Sequence, residues 1–338
     1  MKSTLTDFPS KMNALVLTEY DKNPEIQKVD VPEPSKGEVL VKMDSSPVNP
    51  SDVMFLRGLY AKKKLPVVPG FEGSGIVIAT GNDFFAKRLL GKKVACFAPM
   101  DGNGTWAEFM LTSYTQAVPL NKNMDMEQAS MLLVNPLSAM AMVKMAKKAK
   151  YNAIANTAAA SALGQMLNLM CLDENIPIVN IVRREEQVTL LKGQGAKYIL
   201  DSSAADFQLE MKALFKKLKV GAAFDAISGE SASNLLEALP KGGEVIIYGS
   251  LSQEEIKTDP RSYIFQGKKI TGFWLSEWIR HQNILKLISS FKKIQKFLTN
   301  KHKTNIDKRV SLREAVKGIE GYMDKMTSGK VLIKPWSN

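Results

Sequence analysis

The stretch NTAAASALGQM (residues 156–166) joins a short apolar run, AIANT (153–157), to a run of helical character, ALGQMLNLMCLDE. A turn of small residues between a strand and a helix is where a dinucleotide-binding chain carries G-x-G-x-x-G, which lets the backbone approach a pyrophosphate and places it on a helix N-terminus. With the last glycine of that pattern laid on Gly164, the first two fall on Ala159 and Ser161. Alanine is the next smallest residue, and the Ser161 hydroxyl can donate to a phosphate. The backbone from Ala160 and Ser161 through Ala162 and Leu163 to Gly164 supplies the remaining amides. The following strand ends NIVRR, which sets Arg183 and Arg184 about 20 residues past the loop, where a carboxylate would clasp the ribose hydroxyl of NAD and an arginine would meet the 2′-phosphate of NADP. No carboxylate stands there until Glu185. Loop, spacing and paired arginines favour NADPH over NADH. A tight turn formed for packing and two solvated arginines at a strand end are the bland alternative.

Those residues need a parallel sheet to hold them, and the chain after residue 150 supplies its pattern. AIANT, PIVNIV, AKYILD, AAFDAI and GEVIIYG alternate with helical runs, which reads as a doubly wound (Rossmann) α/β sheet with helices on both faces. KKITGFW (268–274) adds a further strand. From residue 13 to about 120 the pattern is different: MNALVLT, EVLVKMDSS, GSGIVIAT, KKVACFA and TWAEFMLT are short strands broken by Pro and Gly, an all-β, barrel-like arrangement. A helical run at 126–150, interrupted by Pro136, separates the two. A basic amphipathic helix (279–299), a second helix (311–325) and a strand GKVLIK (329–334) follow. The expected domains are therefore 1–130, completed by 300–338, and 131–299.

Composition narrows the class. An apolar fraction of 45% and a charged fraction of 24% describe an ordinary globular protein, and no apolar run is long enough to span a bilayer. The net charge of +12 favours anionic partners such as phosphorylated cofactors or acyl carriers. Its lysines are scattered or lie along helices, so nucleic acid is not implied. Two cysteines, Cys96 and Cys171, argue against a disulfide scaffold and fit a reducing compartment. The first dozen residues show neither a signal-peptide core nor an arginine-rich presequence.

Several motifs together resemble the medium-chain dehydrogenase/reductase superfamily, in its zinc-free quinone and enoyl reductase branch: VNPSDVMFLRGLY (48–60), LPVVPGFEGSGIV (65–77), GTWAEF (104–109), LLVNPLSAMAM (132–142), SALGQ (161–165), NIVRR and GFWLSEW (272–278). The last three are similar to mitochondrial 2-enoyl thioester reductases. The resemblance covers nearly the whole chain and implies a GroES-like β-barrel catalytic domain, NADPH as cofactor and, commonly, a homodimer formed at the sheet edge of the cofactor domain. Phe71 stands where zinc-dependent relatives have the histidine of G-H-E, and two cysteines cannot form their four-cysteine site, so no metal is expected.

The resemblance also assigns roles. Tyr60 of Gly58-Leu59-Tyr60 matches the tyrosine that assists at the enolate, by stabilising its oxygen or donating the proton. Asn49 and Asn135 match positions lining the cleft between the domains, and Ser138 stands where many relatives carry threonine. Tyr248 and Gly249 end a strand at the cofactor edge, Phe273 and Trp274 match residues near the nicotinamide, and Lys330 is a candidate for a cofactor phosphate. The alanines of the loop and YAKKKLP (60–66), which lacks the glycine that often follows the tyrosine, depart from the family pattern. Two functions are therefore carried forward. One is an NADPH-dependent reductase of an enoyl thioester or a quinone-type acceptor, in the mitochondrial matrix or the cytoplasm. The other is a reductase-fold accessory subunit of a larger assembly.

Overall fold

The apolar runs of the first 120 residues form antiparallel strands because every second side chain finds an apolar neighbour across the sheet. The computed structural model describes residues 3–5, 7–324 and 327–337. The chain divides into two units, residues 1–134 with 289–338, and residues 135–288.

In the first unit the main sheet runs Ile306–Val310, Lys330–Ile333, Glu38–Pro47, Glu72–Thr80, Lys93–Phe97 and Ala117–Pro119, with Phe109–Ser113 and Ser3–Thr4 paired onto its long strands. Lys11–Val16 and Glu25–Asp30 form a separate antiparallel pair. Two of its largest side chains, Trp106 and Phe55, are fully enclosed. Burying an aromatic or large aliphatic side chain stabilises the unit by about 1.5–3 kcal/mol. The strand Lys330–Ile333 pairs with Glu38–Pro47, so the end of the chain completes the sheet begun by its start.

The second unit is a six-stranded parallel sheet. Its order is Tyr198–Asp201, Ile178–Val182, Ala153–Asn156, Val220–Asp225, Glu244–Ile247, Lys269–Gly272. In chain order that is the 3-2-1-4-5-6 arrangement of a doubly wound dinucleotide fold, with a topological switch beside Ala153–Asn156. The near-continuous burial of its central strands follows from helices covering both faces.

Two local expectations change. Pro136 does not interrupt a helix: the break lies ahead of it, between Met126–Ser130 and Val134–Ala149, and Pro136 sits in the first turn of the second helix. A proline is accommodated there because the first amides of a helix have no partner to lose. The basic helix expected over 279–299 is two helices, Leu275–Arg280 and Ile284–Asn300, and Asn283 accepts the amide of Leu285 at 2.8 Å at the start of the second. Of its expected apolar face, Leu287, Ile294 and Leu298 are buried, whereas Ile284 and Ile288 are 56% and 45% exposed. Among the described residues no helix is long and apolar enough to cross a membrane.

Candidate active site

At the carboxyl edge of the parallel sheet, Ala153–Asn156 runs into the small-residue turn and then the helix Ala162–Asp173. Ala159 is fully buried, and its amide donates to Ile181 O at 3.2 Å, tying the turn to the neighbouring strand. A Cβ on Gly164 would stand 2.6 Å from Ala159 O and 2.7 Å from Ala158 O, so the helix passes the turn too closely for any side chain. Ser161 is the N-cap, its Oγ accepting the Gly164 amide at 3.1 Å. Its hydroxyl proton is not consumed by that bond and stays available to an anion. The amides of Ala162 and Leu163 open the helix and have no carbonyl partner in its ladder, so their N–H groups are left as donors at the turn. Ala160 is buried, and its carbonyl accepts the Gln165 side chain at 2.8 Å.

Val182 ends the adjacent strand, and both arginines follow it, exposed to solvent. They are not equivalent. Arg184 is the N-cap of the helix Glu185–Gly193 and its Nε lies 3.1 Å from Glu186. The Arg183 guanidinium has no hydrogen bond or ion pair among the described residues, while its backbone amide donates to Gln187 at 3.1 Å. Loop and free cation thus emerge from neighbouring strands on one edge.

The same edge carries a cleft of about 420 Å³, lined among others by Thr157, Ile181, Ser202, Ile227 and Asn234. Below it Asp225 is buried and fully engaged: Oδ1 accepts Thr157 Oγ1 at 2.7 Å, the Ile227 amide at 3.1 Å and Ser231 Oγ at 3.1 Å, and Oδ2 accepts the Ser228 amide at 2.9 Å. These bonds fix the turn after Val220–Asp225, a network the sequence reading missed because Asp225 looks like any strand-ending acid. Tyr248 follows Glu244–Ile247, its hydroxyl buried without a partner and its proton held more firmly by burial and by the nearby Asp225. A Cβ on Gly249 would meet Ala226 O at 2.8 Å. The Phe273 amide donates to Ile247 O at 2.8 Å, and Trp274 is 38% exposed. Asn135 and Ser138 occupy the first turns of Val134–Ala149 and are buried.

In the first unit Tyr60 follows the helix Pro50–Leu56, half-buried, with its ring 5.2 Å from that of Phe71. Beneath it is a cluster of buried charge. Glu72 Oε2 accepts the amides of Leu133 at 3.0 Å and Val134 at 2.9 Å, and its Oε1 accepts Asn49 Nδ2 at 3.0 Å. Asp52 accepts the amides of Asn49 at 2.8 Å and Phe71 at 3.0 Å. Burial holds both acids above their ordinary range, Asp52 at about 7, and the Lys330 ammonium pulls the other way in each case.

Two expected roles are corrected here. Lys330 is 2% exposed, and its Nζ donates to Val48 O at 3.2 Å, Tyr322 OH at 3.3 Å and Asn49 Oδ1. With three hydrogens aimed at three oxygens of its own unit, it has no donor left for a cofactor phosphate. Asn49 is 1% exposed, and both ends of its amide are used inside the cluster. It is the N-cap residue of the helix that precedes Tyr60, its backbone amide donating to Asp52 and its side chain held inside the cluster.

A parallel 3-2-1-4-5-6 sheet with a one-glycine anion loop, carried in one chain with a strand-rich unit, defines the architecture of a dinucleotide-dependent dehydrogenase or reductase. Comparison with known families gives the same class: residues 35–122 match the alcohol dehydrogenase GroES-like domain, and residues 162–290 match the zinc-binding dehydrogenase family. A mitochondrial enoyl-[acyl-carrier-protein] reductase of Caenorhabditis elegans is 32% identical over 252 residues, covering 72% of this chain and 71% of the relative. The mitochondrial enoyl-[acyl-carrier-protein] reductase of Arabidopsis thaliana is 29% identical over 294 residues, covering 82% and 75%. Among solved structures, a Mesorhizobium loti protein assigned as an NADPH:quinone reductase superposes with a TM-score of 0.91 at 33% identity, covering 98% of this chain and 100% of that one. The chain belongs to the medium-chain dehydrogenase/reductase superfamily, in its zinc-independent enoyl and quinone reductase branch, and is an oxidoreductase of that kind.

The residues do not fit a zinc ion. Phe71 offers only a hydrocarbon ring, seated between Phe55 and Tyr60, and Cys96 is buried against Gly73 O. Among the described residues no three of His, Cys, Asp and Glu are grouped to hold a metal.

Proposed function

We propose that this chain is an NADPH-dependent, metal-free reductase of an activated carbon–carbon double bond, with a 2-enoyl thioester ahead of a quinone as acceptor. The observation that carries the cofactor is the unpaired Arg183 beside a turn that admits no side chain at Gly164. A guanidinium without an internal carboxylate suits a 2′-phosphate, which takes bidentate charge-assisted bonds. Ser161 and the amides of Ala162 and Leu163 suit the pyrophosphate, and the neighbouring cleft has room for the adenosine end. When bound, the nicotinamide supplies a hydride to the β-carbon of the acceptor.

The chain's own part is to manage the charge that follows. Tyr60 is the group for this in the first unit, its hydroxyl bonding the carbonyl oxygen as enolate character develops or delivering the proton that completes the reduction. The curated relatives named above are enoyl reductases, which favours the thioester over the quinone. Their mitochondrial naming supports the matrix over the cytosol, and subcellular fractionation separates the two. A homodimer is supported by the open edge strand Lys269–Gly272, which lies close in sequence to the 70% exposed Ile264 and the 69% exposed Phe265. Light scattering decides it.

Titration with NADPH and NADH, then turnover with crotonyl-CoA and with a quinone, tests the reading. Arg183→Ala should weaken NADPH by about 10–100-fold, the worth of a charge-assisted bond, with NADH little changed. Tyr60→Phe should lower enoyl turnover by about 100-fold at unchanged NADPH affinity. Equal losses for the two nucleotides would undo the phosphate assignment, and nucleotide binding without turnover on either acceptor would undo the reductase.

A further inference from the structure

The segment YAKKKLP, which lacks the glycine family members often place after the tyrosine, has a structural partner in Tyr20. Of its three consecutive lysines, Lys62 and Lys64 are exposed and Lys63 turns inward. The Tyr20 hydroxyl accepts the Lys63 amide at 2.6 Å and donates to the Lys63 carbonyl at 2.8 Å, closing a two-bond ring on one residue. The Lys63 ammonium donates to Pro99 O at 2.9 Å and Gly102 O at 2.8 Å, which fastens the same residue to a second loop.

Tyr20 also holds the near side of Tyr60. Gly58 has φ +69°, and a Cβ there would lie 3.2 Å from Tyr20 Cβ, so the backbone rests directly on the Tyr20 side chain. The Asp21 amide donates to Leu56 O at 2.7 Å. Positions 58 and 63 are therefore both fixed to Tyr20, and Tyr60 lies on the span between them. A chain of ring contacts leads to the same place. Tyr20 meets Phe55 edge-on at 5.8 Å, Phe55 meets Phe71 at 5.6 Å, and Phe71 meets Tyr60 at 5.2 Å. Burial lowers the pKa of the Lys63 ammonium to about 8, and its two carbonyl bonds offset that loss of water.

We propose that Tyr20 and Lys63 are positioning residues for Tyr60, setting the loop that presents its hydroxyl to the acceptor. This rests on the role given to Tyr60 above. A glycine after the tyrosine leaves such a loop free to adjust, whereas here the loop is built to one geometry before substrate arrives. Pre-set geometry matters because an ångström of misplacement at a reacting group can cost about 100-fold in rate.

The test is a cycle of Tyr20→Phe, Tyr60→Phe and the double variant, with Lys63→Met as an independent lesion of the loop's second anchor, the ammonium bonds to Pro99 O and Gly102 O. Tyr20→Phe keeps the ring and deletes only the two hydroxyl bonds. It should lower kcat for crotonyl-CoA about tenfold, leave KM for NADPH unchanged, raise the solvent deuterium isotope effect on kcat, and speed amide exchange over residues 59–65. In the Tyr60→Phe background it should cost nothing more. Lys63→Met should repeat the kcat loss. An equal loss in both backgrounds, or no loss while Tyr60→Phe is crippled, would overturn the proposal. Full activity of Tyr60→Phe would instead overturn the role of Tyr60. Exchange over 59–65 then decides whether Tyr20 anchors the loop at all, and unchanged exchange removes that too.

Discussion

Lys330→Met separates a structural ammonium from a cofactor ligand. Methionine keeps most of the apolar stem and deletes the charge, leaving Val48 O, Asn49 Oδ1 and Tyr322 OH without the donor they share. Glu72 and Asp52, both already held above the usual carboxylate range, lose the cation that opposes their burial. Removing one partner from a buried charge cluster costs about 3–5 kcal/mol, which includes the orphaned acceptors and is not additive with them. For a unit of this size, each kcal/mol lowers Tm by about 2–4 °C, so the melting temperature should fall by about 6–20 °C. NADPH titrated into the variant well below its Tm should bind within about twofold of the parent, because every Lys330 partner lies in the first unit. The cycle can be closed with Glu72→Gln. Once Lys330 is gone, the Asn49 amide is free to flip so that its oxygen accepts from the carboxamide introduced by Glu72→Gln, and the double variant should be more stable than Lys330→Met alone. An unchanged Tm with NADPH affinity down tenfold would refute the reasoning, since it would put the ammonium on a phosphate.

Three further outcomes follow from particular contacts. Folded Asp52 holds its proton to about pH 7 while an unfolded aspartate releases it near 3.8, so its contribution is present in full below about pH 4 and is lost as pH rises to 7. The stability difference between the parent and Asp52→Asn, measured by urea unfolding, should shrink by about 4 kcal/mol across that interval, and parallel curves would show that Asp52 is not buried as described. Gly164→Ala places a methyl 2.6 Å from Ala159 O and should destabilise the second unit and abolish nucleotide binding together, as a melt and a titration on one sample would reveal. Ala158 is held at φ +47°, a left-handed conformation costing a non-glycine residue about 1–2 kcal/mol. Ala158→Gly should therefore raise Tm by a few degrees with NADPH affinity retained, and a lower Tm would mean that no strain is stored there.

What could be read from the sequence was what repeats locally. The alternation after residue 150 reads as a parallel, doubly wound sheet, and the structure has one, its strand order coming from the structure alone. Gly164 could be identified as the close-packed position because strand, turn and helix are contiguous. Contacts distant in sequence were not legible. Lys330 reaches residues 281 and 282 positions away, and nothing in SGKVLI announces a buried ammonium. Asn49 was placed at the cleft by the resemblance alone, and nothing local in VNPSD announces that its amide is held between Glu72 and Lys330. The helix Ile284–Asn300 has one apolar stripe by periodicity, yet part of that stripe is exposed, because periodicity specifies a face and not what covers it.

The one-glycine loop is better explained by what each position touches than by how many glycines it contains. At Ala159 a methyl is accommodated, fully buried and with no left-handed φ. At Ser161 a side chain is an advantage, since the N-cap needs an oxygen to hold the Gly164 amide, and a glycine there would leave that amide to water or ligand. Only at Gly164 is the space closed, by two carbonyl oxygens that cannot move without opening the turn. The remaining strain falls on Ala158, one position before the aligned pattern, where the chain reverses. Such a loop loses some backbone freedom relative to three glycines and gains a capped helix start. On the function proposed above, a pyrophosphate would meet a turn whose donors are already oriented, and Arg183, whose guanidinium has no partner among the described residues, would take the charge that the turn itself does not reach.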